Sequence, residues 1–82
     1  MFKAIITVKL RPSILDPEGK AIEHALQSLD FKTLSGVRIG KLVEMQVDAA
    51  DRAAAEAVVI EACRQLLANQ VMEDYTYELH EA

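Results

Sequence analysis

The side chains able to do covalent or acid–base chemistry are few in this 82-residue chain, and they are scattered. One cysteine, Cys63, and two histidines, His24 and His80, stand on three separate segments. Structural zinc takes four Cys or His ligands, most of them in closely spaced pairs, so no metal site is expected. Cys63 falls at the border of an apolar helical arc and reads as a half-buried structural thiol. His24 lies opposite Ile22 and Leu26 on its helix and should face solvent or a partner. No nucleophile, base and acid fall together, the carboxylates are dispersed, and no catalytic residue is assigned.

Gly36-Val37-Arg38-Ile39-Gly40-Lys41 has the outline of a phosphate loop but not its substance. A P-loop needs four residues between its glycines, a Ser or Thr after the lysine, and a helix to open. Here three residues intervene, Leu42 follows, and the segment lies in a strand pattern. Arg38 and Lys41 are long cations beside that strand, where lysine is disfavoured. Gly40 between them admits a close backbone approach. Arg38, Gly40 and Lys41 are therefore the expected partner-contact residues, against the plainer reading of a charge-protected strand edge.

The elements that carry these residues follow from periodicity. Phe2 to Leu10 alternates with period two and is a half-buried strand ended by Pro12. Asp16-Pro17-Glu18 starts a helix: Asp16 suits the N-cap, Pro17 the first turn, and Glu18 the helix dipole. Ile22, Ala25, Leu26 and Leu29 recur at helical spacing, with a stop near Asp30 and a loop from Phe31 to Gly36. Val37 to Val47 alternates again, as one bent strand or two short ones meeting at Gly40. Ala50 or Asp51 begins an alanine-rich helix running to about Ala68, with Asn69 as its stop. Val71 to Leu79 is the last strand. The order β-α-β-α-β over residues 1–82 predicts a single α+β domain, a ferredoxin-like relative. Its sheet should be mainly antiparallel, with both helices on one face.

Bulk properties narrow the role. A net charge of −4 argues against nucleic acid, whose phosphates need clustered cations. No apolar run approaches the roughly 20 residues of a membrane span. The chain opens directly into a strand, which suggests no signal peptide, and a lone cysteine suits the cytoplasm. A domain this small buries only about 60% of its unfolded surface, and one cysteine cannot form an internal disulfide. Oligomerisation is the remaining way to gain stability.

The second faces agree with oligomerisation. On the second helix, Ala55, Val58, Val59, Ala62 and Leu66 share the expected core arc, while Ile60 and Leu67 form another stripe. The sheet's far face carries Ile5, Leu42 and Met72. Ile5, Leu42, Met72, Ile60 and Leu67 are the expected oligomer interface.

The first strand, Ser13-Ile14-Leu15-Asp16-Pro17-Glu18-Gly19, Ala25-Leu26, and Val37-Arg38-Ile39-Gly40-Lys41 with Glu44 together resemble the PurS family over essentially the whole chain. That resemblance implies a non-catalytic small subunit of phosphoribosylformylglycinamidine synthase, usually dimeric. It would bridge a glutaminase subunit and a synthetase subunit and support ammonia transfer between them. ATP and Mg would be used by the synthetase subunit, with no cofactor on this chain. The alternative is a stand-alone ferredoxin-like module that senses a small molecule.

Overall fold

The structure, a computed structural model, describes residues 1–81. Five elements follow in order: β1 (Phe2–Leu10), α1 (Pro17–Ser28), β2 (Gly40–Val47), α2 (Arg52–Ala62) and β3 (Glu73–Glu81). A π-helical segment, Cys63–Leu67, continues α2. The strands form one antiparallel sheet in the order β2-β1-β3. Phe2 stands opposite Val47 on one side and Glu81 on the other. The α+β class and the element order are those read from the sequence.

The pairing decides where each helix goes. β2 and β3 both run antiparallel to β1, so they are parallel to one another. A connection between parallel strands must cross back over the sheet, and α2 makes that crossing against all three strands. β1 and β2 are antiparallel neighbours, and their connection leaves and returns at the same end of the sheet. α1 is therefore free to project beyond that end, and it makes no substantial contact with any strand or with α2. The molecule measures 51 × 27 × 14 Å, with a radius of gyration of 16.3 Å. A compact chain of this length would have about 12 Å. The expectation of both helices on one sheet face thus holds for α2 alone.

The core lies between α2 and one face of the sheet. Phe2, Ala4, Ile6 and Val8 from β1, Val47 from β2 and Leu79 from β3 meet Ala55, Val59, Cys63 and Ala68. Alternation placed the strand residues correctly. The helical arc needs correction: Cys63 and Ala68 are buried, whereas Val58 and Leu66 are exposed, Leu66 by 83%. For Leu66 and Ala68 the cause is the π segment, whose wider turn closes with Ala68 N–H donating to the Cys63 carbonyl at 3.0 Å. That extra residue per turn rotates Leu66 out and brings Ala68 in. Leu67 packs against the core, and Ile60 is half-buried, so neither lies on a separate open stripe.

Two strand starts also differ from expectation. β3 begins at Glu73, because residues 70–72 form a turn led by Asn69, whose side chain accepts from Val71 N–H at 2.9 Å. Met72 is therefore in that turn and not on the sheet face. β2 begins at Gly40, so the middle strand is neither split nor bulged there. Val37 and Ile39 fall short of the ladder because their N–H groups are engaged by α1.

Candidate functional site

α1 holds the chain before β2 with three residues at positions i, i+3 and i+7, which lie within 60° of one another on a helix. Asp16 is the N-cap: its Oδ1 accepts from Gly19 N–H at 2.9 Å. Its Oδ2 accepts from Ile39 N–H at 2.7 Å. One turn on, Gly19 lets the Val37 carbonyl lie so close that a Cβ at this position would collide with it. Glu23 Oε1 accepts from Val37 N–H at 3.0 Å. The Asp-x-x-Gly-x-x-x-Glu spacing therefore grips residues 37–39 by their backbone.

Arg38 completes the grip from the other side. Its Nη2 donates to the Arg11 carbonyl at 2.9 Å and to the Ile14 carbonyl at 2.8 Å. It thereby joins the β1–α1 loop to the lead-in of β2. The Ile39 and Gly19 N–H groups, with the Arg38 charge nearby, hold the Asp16 carboxyl below its ordinary range. The Val37 N–H does the same for Glu23. Burial pushes the Cys63 thiol up, away from the reactive thiolate.

The residues singled out in the sequence separate into different regions. Arg38 lines a groove at the outer face of the sheet, with Thr7, Lys9 and Thr76. Lys41 lines a different groove, on the helix side, with Asp16 and Glu18, and reaches Glu73 at 3.9 Å. Arg38 and Lys41 thus do not form one patch. Gly40 does admit a close backbone, but it is that of β1: a Cβ there would sit 2.8 Å from the Val8 carbonyl oxygen. Ile5 is half-buried on the outer face between Glu44 and Glu78, and Leu42 is exposed opposite Thr7. That face is mostly polar, with Lys3 paired to Glu44 at 3.6 Å.

The large unpartnered apolar surface is elsewhere, on α1 and its following loop. Leu29 is 68% exposed, Phe31 52% and Leu34 41%. In the sequence Ile22, Ala25, Leu26 and Leu29 form one stripe by helical spacing, and such spacing does not say what the stripe meets. The clamp itself was half legible. Asp16 was read as a cap, but Gly19 and Glu23 were missed, although their spacing from Asp16 was available as a signal. Among the described residues no cluster of three or more His, Cys, Asp or Glu side chains is placed to hold a metal ion. No helix among them is long and apolar enough to cross a membrane.

Fold and site define a small α+β scaffold. Its conspicuous polar side chains hold backbone in place, and its first helix is presented off the end of a sheet. The family model for PurS, phosphoribosylformylglycinamidine (FGAM) synthase, matches residues 3–81. The FGAM synthase subunit PurS of Bacillus subtilis (strain 168) is 44% identical over 81 residues, 99% of this chain and 95% of that protein. The solved structure of B. subtilis PurS superposes with a TM-score of 0.90 at 44% identity, covering 99% of this chain and 100% of that one. A chain in the structure of PurLQS from Thermotoga maritima gives a TM-score of 0.89 at 33% identity, with 96% of each chain covered. The chain belongs to the PurS family of FGAM synthase subunits.

Proposed function

We propose that this chain is the non-catalytic small subunit that holds the glutaminase and synthetase subunits of FGAM synthase together and supports ammonia transfer between them. The complex converts formylglycinamide ribonucleotide and glutamine to formylglycinamidine ribonucleotide with ATP, in purine biosynthesis. ATP and Mg²⁺ act in the synthetase subunit, and glutamine is hydrolysed in the glutaminase. The chain self-associates as a dimer or larger oligomer and works in the cytoplasm, where a lone thiol such as Cys63 stays reduced.

The observation that carries this reading is α1. A 12-residue helix without tertiary packing is marginal in water, yet α1 is built with a capped start and keeps Ile22, Leu29 and Phe31 exposed. An apolar surface of this kind is a contact surface for another chain. The relatives named as synthase subunits, and the PurLQS assembly of T. maritima, support the choice of partner.

The test is reconstitution with the two larger subunits. Omitting this chain should abolish glutamine-driven synthesis and spare synthesis driven by added ammonia. Glutamine-driven synthesis at the full rate without it would overturn the proposal.

A further inference from the structure

Among the described residues, five of the nine Lys and Arg form ion pairs: Lys3, Arg11, Lys41, Arg52 and Arg64. The other four are Lys9, Lys20, Lys32 and Arg38. Two of these, Lys9 and Arg38, line the same groove, about 380 Å³ at the outer end of the sheet. Two unpaired cations converging on one groove, in a chain of net charge −4, call for a reason.

Both cations are positioned. The Lys9 stem lies over Gly40, where a Cβ would meet its Cγ at 2.8 Å, so only glycine opposite lets it cross there. Arg38 is fixed through Nη2 on the Arg11 and Ile14 carbonyls, and its other donors make no bond among the described residues. The third charge at the rim, Asp74, stands opposite Lys9 in the ladder and is paired with Arg11 at 3.1 Å. Thr7 and Thr76 stand opposite each other on the groove wall, and Leu10, Pro12 and Ile39 supply apolar lining. A largely apolar cleft with a few convergent polar groups has the form of a recognition site. A pre-positioned guanidinium with free donors, beside an ammonium, is a carboxylate receptor.

We propose that this groove seats an acidic segment of one of the larger synthase subunits, a carboxylate set between Lys9 and Arg38 with an apolar side chain against Leu10, Pro12 and Ile39. The proposal rests on the assembly role argued above and adds the chemistry of the partner residue. A protein segment is favoured over a free anion because Leu10, Pro12 and Ile39 share the lining with the two cations, a surface that an apolar side chain next to a carboxylate would fill.

The experiment titrates the full chain into the two larger subunits, following complex formation by sedimentation. Lys9→Glu should weaken association by about tenfold or more, as expected for reversing a charge at a carboxylate contact. Thr76→Trp, which fills the groove from an exposed position, should do the same. Arg64→Glu makes the same change in net charge outside both the groove and the α1 surface and should shift association less than about twofold. Circular dichroism confirms that the variants fold, and Lys9→Arg should retain wild-type binding. If the wild-type chain assembles and Lys9→Glu and Thr76→Trp assemble equally well, the groove is not the contact and only this proposal falls. If Arg64→Glu weakens assembly as much as Lys9→Glu, general charge and not the groove is responsible, and the proposal also falls. If the wild-type chain joins neither subunit, the assembly reading itself fails.

Discussion

The two helices are attached to the same sheet by different physics. α2 is held by apolar burial: Ala55, Val59 and Cys63 are fully enclosed against β1, β2 and β3. α1 is held by carboxylates and a glycine that catch the backbone of residues 37–39, while its apolar side chains stay outside the core. The difference comes from strand direction. A helix joining parallel strands has to lie on the sheet, and a helix joining antiparallel neighbours does not. The chain uses that freedom to carry α1 out beyond the sheet, ordered by polar bonds that leave its apolar side chains exposed.

The largest effects should separate the two modes of attachment. Val59→Ala removes two buried methyl groups and leaves a cavity under α2, at a cost of about 1.5–3 kcal/mol. Leu29→Ala on α1 should cost under about 0.5 kcal/mol in the isolated chain, since Leu29 is largely exposed. The order should reverse for assembly, where Leu29→Ala weakens self-association or binding to the larger subunits. Urea denaturation and light scattering on the same two variants give both readings. Equal losses of stability would mean that α1 is packed in solution as α2 is.

Gly19→Ala tests the clamp by sign. In an exposed helix interior this change stabilises by about 1 kcal/mol. Here the new Cβ would meet the Val37 carbonyl and Asp16 Oδ2, and the lead-in to β2 would have to move. A loss of about 1–3 kcal/mol is expected, typical of overpacking. A gain in the urea midpoint would show that the clamp is loose.

Acid should undo α1 before α2. The folded-state pKa values of Asp16 and Glu23 are lowered by the N–H groups they accept from. Their contribution is therefore fully present above the ordinary carboxylate range and is lost as pH falls through the depressed values. Amide exchange at Gly19, Val37 and Ile39 should accelerate first on acidification, while Val59 and Ile6 stay protected. Asp16→Asn with Glu23→Gln should remove that early acid step and, because the amide oxygens still accept, speed exchange at the same amides at neutral pH only by about two- to threefold, the scale of the lost charge assistance.

How much of this was legible in the sequence follows the same divide. Period-two alternation fixed the inward residues of all three strands, because each strand has one buried face. Asp16-Pro17 located the start of α1, because capping is a local matter. What could not be read was non-local. Ile22 and Leu29 recur at helical spacing, but periodicity records an apolar stripe and not whether this chain covers it. Val37 and Ile39 continued a strand pattern, but a helix had already taken their N–H groups. The π segment moved Leu66 outward and Ala68 inward by one residue, a phase change that no 3.6-residue wheel contains. Arg38 and Lys41, three residues apart, were placed together on charge and spacing, while the strand start between them sends them to different grooves.

The smallest expected effect concerns the end of α1. Leu29 is the C-cap, and Asp30 follows with φ of +72°, a left-handed conformation that glycine adopts most readily. Phe31 N–H donates to the Leu26 carbonyl at 3.0 Å and Asp30 N–H to the Gln27 carbonyl at 3.1 Å, which is the Schellman arrangement. Asp30→Gly relieves the strain of a side chain at that angle but also gives the unfolded chain more freedom to lose. The net gain should be about 0.5–1 kcal/mol. Because α1 is attached through the clamp and not through the core, the gain should be local. It should slow amide exchange at Leu29 to Phe31 several-fold and leave exchange at Val59 unchanged. A matching rise in protection at Val59 would mean that the two helices unfold as one unit, and the contrast between their attachments would have no thermodynamic consequence.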